Sequence, residues 1–209
     1  EAQDKRNWGR FIRMPYMSQR TKISLFFTVL IIGGYAAVRL IGGSDSVPHE
    51  FAEARLQGAL IAQEIVDLSN KSIDDLAEIS RLDREGKAAD ALDATSNVVI
   101  KSQEIRDQAV LLSNEIEKMT RALGEVRPAV ARQAALESIT GRLALLSRLV
   151  NYSAYLGQLA DALRIRFTGA AGSQQISAII ERINEEVASI NALNTEATDA
   201  MNEFDTMVR

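Results

Sequence analysis

The sequence predicts an all-α protein: a single N-terminal transmembrane helix followed by an antiparallel up-down-up-down four-helix bundle. Three observations predict it. Aromatic residues make up only 5% of the 209 residues, too few for a β-sandwich or barrel core. Three prolines and twelve glycines leave long stretches without a helix breaker. Within those stretches apolar residues recur in steps of three and four.

Charge orders the chain from its start. The net charge is −4, yet residues 1–22 carry six basic side chains (Lys5, Arg6, Arg10, Arg13, Arg20, Lys22) against Glu1 and Asp4. From Ser44 onward the net charge is −9, which would repel a phosphate backbone and argues against nucleic-acid binding. The basic tail is followed by sixteen residues without a charge, 23–38, and the apolar run continues past Arg39 to Gly43. A helix over 23–43 reaches roughly 30 Å, the thickness of a bilayer's hydrocarbon core. Arg39 lies in the last turns, where its stem can carry the charge to the headgroups.

The basic residues before the span, Arg13, Arg20 and Lys22 foremost, predict a cytoplasmic N-terminus, the bilayer as a partner, and an extracytoplasmic body at the cytoplasmic (inner) membrane. Trp8, Phe11, Tyr16 and Tyr35 stand where interfacial aromatics are expected. The segment Lys5 to Met14 alternates cations with bulky apolar residues, which suits either topology alone or contact with an anionic leaflet. A cleaved signal peptide is the competing reading, with small residues at Gly42, Gly43 and Ser44, although the apolar run is long for one and no A-x-A site follows. A buried hairpin in a soluble protein fits the charge asymmetry poorly. Met14 and Met17 are alternative starts.

Residues 44–209 form the expected bundle, with helices about 48–85, 87–123, 128–167 and 173–209. In the first, Ser46 is a candidate N-cap with Pro48 in the first turn. Its seam reads Ala54, Gly58, Ile61, Ile65, Leu68, Ser72, Leu76, Ile79 and Leu82, and Gly86 stops it. The second carries Leu92, Thr95, Val99, Ser102, Ile105, Ala109, Leu112, Ile116, Met119 and Leu123, ending near Gly124. Pro128 opens the third, whose expected seam is Leu136, Ile139, Leu143, Leu146, Val150, Ser153, Gly157, Ala160, Leu163 and Phe167. Ser173 caps the fourth: Ile176, Ile180, Ile183, Val187, Ile190, Asn194, Ala197, Met201, Phe204, Val208. Matched lengths and short connections favour neighbours packed antiparallel. Two helical hairpins completing their core in a neighbouring chain are the alternative.

Candidate chemistry is sparse. The chain has no cysteine and one histidine, His49, which removes disulfides, thiolate nucleophiles and cysteine-ligated metals. No Glu-x-x-His pair, phosphate-binding glycine loop, G-x-S-x-G or H-E-x-x-H occurs, so no enzyme, no cofactor and no metal site are expected. Asp74 with Asp75 and Glu185 with Glu186 are adjacent on helices, point about 100° apart, and are expected on solvated faces. Ser72, Ser102 and Ser153, with Tyr152, should fall in one layer and could bound a small ligand pocket; hydroxyls returning bonds to their own helices are the plainer reading. Asn194 either fixes register or partner choice inside the seam, or turns outward while Leu193 turns in. Gly58, Gly141 and Gly157 mark expected close helix approaches.

The expected function is therefore non-enzymatic: an extracytoplasmic bundle for protein–protein interaction, a scaffold or envelope-complex subunit, with a protein partner or self-association. The plan is similar, in architecture alone and without shared motifs, to the ligand-binding parts of bacterial chemoreceptors. That similarity implies the alternative, a sensory or small-ligand-binding bundle.

Overall fold

A computed structural model describes residues 46–168 and 173–208. Among them are four helices and no strand: α1 (His49–Arg84), α2 (Ala88–Ala122), α3 (Ala129–Phe167) and α4 (Ser173–Met207). The basic tail, with Arg13, Arg20 and Lys22, and the apolar segment 23–43 with Arg39 lie outside the described residues. No helix among the described residues is long and apolar enough to cross a membrane.

Helix boundaries follow from local chemistry. α1 starts after Pro48, whose carbonyl accepts the Ala52 N–H at 3.1 Å and whose φ of −57° with ψ of 140° marks the cap position. Ser46 is not the cap, because the α region is disfavoured for the residue before a proline, so the helix cannot begin ahead of Pro48. The Ser46 carbonyl instead accepts the Arg127 N–H at 3.0 Å, tying the start of α1 to the α2–α3 connection. At the other end Gly86, with φ +74°, turns the chain; Lys87 N–H donates to Leu82 O at 3.0 Å and Gly86 N–H to Asp83 O at 3.1 Å. These two bonds are a Schellman stop that favours glycine. α2 tightens into a 3₁₀ turn at Leu123–Glu125, Val126 plugs the end of the core, and α3 starts after Pro128, whose carbonyl accepts Arg132 N–H at 3.2 Å.

Sequential helices run antiparallel. A Cβ on Gly58 of α1 would touch Leu112 and Glu115 of α2, and further along Asp75 pairs with Lys101. Gly157 of α3 stands against Ser102 of α2. α3 and α4 approach closely: a Cβ on Gly141 would lie 3.1 Å from the Ala197 Cβ, and Ser138 Oγ donates to Ala197 O at 2.7 Å. α1 and α4 stand further apart, bridged by large side chains, Phe51 on Phe204 with ring centroids 5.4 Å apart and Arg55 on Asp205.

The main core runs from Phe51, Val126, Phe204 and Val208 at one end to Leu156. Two smaller clusters fill the far end, one around Ile79, Val98 and Ala160, the other around Leu159 and Ile176. The seams expected for α1, α2 and α4 face inward in their essentials. That of α3 does not: Leu136, Leu143 and Val150 are exposed at 42%, 48% and 42%. The inward positions are Ala135, Ser138, Ile139, Arg142, Leu145, Leu146, Leu149, Tyr152 and Ser153, all buried except the partly buried Arg142. α3 carries apolar residues nearly all round, so two seams compete that share Ile139, Leu146 and Ser153. The one chosen sets small Ala135, Ser138 and Gly141 toward the neighbouring helices and permits the close approach of α4.

Candidate functional site

Ser72, Ser102, Tyr152 and Ser153 are all buried. The Asp75–Lys101 pair, one residue from Ser102 and three from Ser72, sets these two at similar height on α1 and α2. Ser102 Oγ lies 3.6 Å from a Cβ built on Gly157, one turn from Ser153 on α3. The hydroxyls are turned back on their own helices: Ser72 donates to Leu68 O at 2.9 Å, Ser102 to Val99 O at 2.7 Å and Ser153 to Val150 O at 2.8 Å. Such bonds satisfy the hydroxyl without a ligand.

Asn194 lies inside the seam, 7% exposed, while Leu193 packs half-buried against the core. His49 is 92% exposed on its side chain and stands 3.7 Å from Glu53. Among the described residues no cluster of three or more His, Asp or Glu side chains is placed to hold a metal ion. The adjacent carboxylates do not all sit on solvated faces. Glu186 is 8% exposed, receives a hydrogen bond from Asn151 Nδ2 at 3.3 Å and faces the Arg148 guanidinium at 3.5 Å; Asp75 is half-buried against Lys101. Each turns inward because a partner on the next helix balances its charge.

Two features depart from what the sequence leads one to expect. The first is a charged layer in the core. Arg55 Nη1 and Nη2 donate to the two carboxylate oxygens of Asp205 at 2.6 and 2.8 Å, a bidentate pair buried on both sides. Nearby on α3, Arg142 occupies a seam position, its Nε 3.5 Å from Ser138 Oγ. Burial, with a contribution from the charge of Arg55, pushes the Arg142 guanidinium down to about 10. The available signal was the seven-residue spacing that sets Arg142 between Ala135 and Leu149. The second feature is the stripe Leu136, Leu143, Val150, repeating every seven residues on the outside of α3. Beside it lie the exposed Thr140, Ala144 and Ser147, so the middle of this face is uncharged.

No family model matches this chain, and neither a curated protein nor a solved structure shows significant similarity to it.

Proposed function

We propose that this chain is a non-enzymatic, single-pass membrane protein, N-terminus cytoplasmic, whose extracytoplasmic bundle acts through protein–protein contact, pairing with a second copy along α3. One observation carries the reading: Leu136, Leu143 and Val150 form a straight apolar stripe on a helix whose inner seam is already filled. A repeat of seven is the spacing at which a helix presents one continuous edge to a partner helix. The second copy is favoured over an unrelated partner by the anchor. Two copies held in one membrane by residues 23–43 point the same way, so their α3 helices meet parallel and each stripe residue meets its own counterpart. Confinement to the membrane also raises the effective concentration of such a contact.

The chain has no cysteine, so Leu143→Cys introduces the only thiol. In native membranes, oxidation of L143C should yield a covalent dimer, as should L136C and V150C separately. A mixed L136C–V150C product in place of the self-pairs would mean antiparallel packing. Failure of all three, with a monomer in detergent or nanodiscs, would overturn self-association. A second reading, a small-ligand-binding bundle, is favoured by the arginine in the α3 seam.

A further inference from the structure

Arg142 stands inside the bundle without a counter-charge. A guanidinium offers five N–H donors in a planar fork. Here its hydrogen bond is the long one to Ser138 Oγ, and that hydroxyl gives its own proton to Ala197 O. Among the described residues no carboxylate lies within ion-pair distance of Arg142. The charged group that acts on it is Arg55, and both oxygens of Asp205 are already engaged by Arg55. Two guanidiniums therefore stand near one carboxylate that Arg55 alone engages, which leaves an excess positive charge in a place where charge is poorly tolerated unless paired.

We infer that Arg142 anchors an internal site for a small oxyanion, a carboxylate or a sulfate-type inorganic anion, held between α1 and α3 with Arg55 as the second positive group and Ser138 at its edge. The arginine fork matches the paired oxygens of such an anion. α1 and α4 stand further apart beside it than sequential neighbours do, and Arg142 keeps part of its surface in contact with solvent, so the site is not sealed. The lowered proton affinity of Arg142 has the same origin, desolvation without a partner, and a bound anion would reverse it. The site uses the inward face of α3 and the pairing stripe the outward one, so the failure of either proposal is distinguishable from the failure of the other.

The test uses the full-length protein in detergent micelles, titrated calorimetrically with acetate, succinate, sulfate and phosphate against chloride at constant ionic strength, with thermal unfolding in parallel. At least one of these anions should bind one-to-one and raise Tm saturably. Arg142→Met should abolish both effects, and Arg142→Lys, which keeps the charge and loses the fork, should weaken binding by about tenfold or more. Val110→Gln, at an exposed position of α2 outside both surfaces, should leave them unchanged. Absence of saturable binding by all four anions overturns the site. Equal binding by wild type and R142M overturns it as well, since the effect would then be an adventitious ion only. Where R142M fails to fold by circular dichroism, unchanged affinity in R142K does the same.

Discussion

Replacing Asp205 by Asn tests the charged layer most directly, because it removes a charge while keeping the shape of the side chain. In the native bundle the Arg55–Asp205 pair is buried on both sides and bidentate, at 2.6 and 2.8 Å. Removing one partner of such a pair leaves an uncompensated buried charge and costs about 3–5 kcal/mol. Arg142 places a second positive charge near Arg55, which puts the expected loss at the upper end of that range. For a chain of this size each kcal/mol shifts Tm by about 2–4 °C, so the midpoint should fall by roughly 10 °C or more. The assay is urea and thermal unfolding of the full chain followed by circular dichroism. The double variant Arg55→Met, Asp205→Leu supplies the contrast: with both charges replaced by apolar groups the cost should shrink to about 1 kcal/mol or become a gain. Adding Arg142→Met to D205N should restore part of the loss. A cost below about 1 kcal/mol for D205N alone would refute the reasoning, since a pair of so little worth behaves as an exposed one.

The three helix-interior glycines should separate. Gly58→Ala and Gly157→Ala meet ordinary contacts at 3.5 and 3.6 Å and should gain up to about 1 kcal/mol from helix propensity, whereas at Gly141 the Ala197 Cβ at 3.1 Å should cancel or reverse that gain; denaturant midpoints decide it. Gly86→Ala has open space around it but a φ of +74°, so it should lose about 1 kcal/mol through the backbone alone, read as a lower Tm. Above pH about 10 folded Arg142 gives up its proton before the unfolded chain does, so the unfolded state binds more protons and stability should rise with pH relative to R142M; an identical alkaline limb for both would contradict the burial of this group.

How much of this was legible in the sequence differs from helix to helix. α1, α2 and α4 each carry one apolar stripe against a polar remainder, and Gly86, Gly124 and Pro128 punctuate them, so periodicity alone places Ile65, Ile105 and Phe204 in the core. α3 resists the same reading, because Leu143, Leu145, Leu146, Leu149 and Val150 follow one another too closely for the pattern to choose a face. What chooses is the fit of Ser138 and Gly141 against Ala197, residues more than fifty positions apart, which periodicity does not see. The same holds for Arg55 and Asp205, separated by 150 positions: each looks like a residue flanking the seam until the antiparallel ends meet. Asn194 could turn either way in sequence and turns in; Glu186 reads as solvated until Asn151 and Arg148 are set opposite it.

The exchange at Arg142 and Leu143 joins the two proposals. Rotating α3 by one residue would bury Leu143 and release Arg142 to solvent, but it would also turn the buried Leu149 out in exchange for Val150. Apolar burial is thus traded rather than gained, and the observed rotation is the one that desolvates a cation. Within the bundle the Ser138–Ala197 hydrogen bond and the close α3–α4 packing oppose the alternative. An anion on Arg142 and a partner on Leu143 would each stabilise the same rotation, since each ligand binds a side chain that the other rotation misplaces. Two ligands that favour one state must favour each other, by equal factors. Full-length protein in nanodiscs should therefore dimerise more tightly when the anion that binds Arg142 is present, while R142M should dimerise with one affinity in its presence and absence. Mass photometry across an anion titration reads this directly. A wild-type dimerisation constant indifferent to a bound anion would show that the two faces of α3 are not coupled through its rotation.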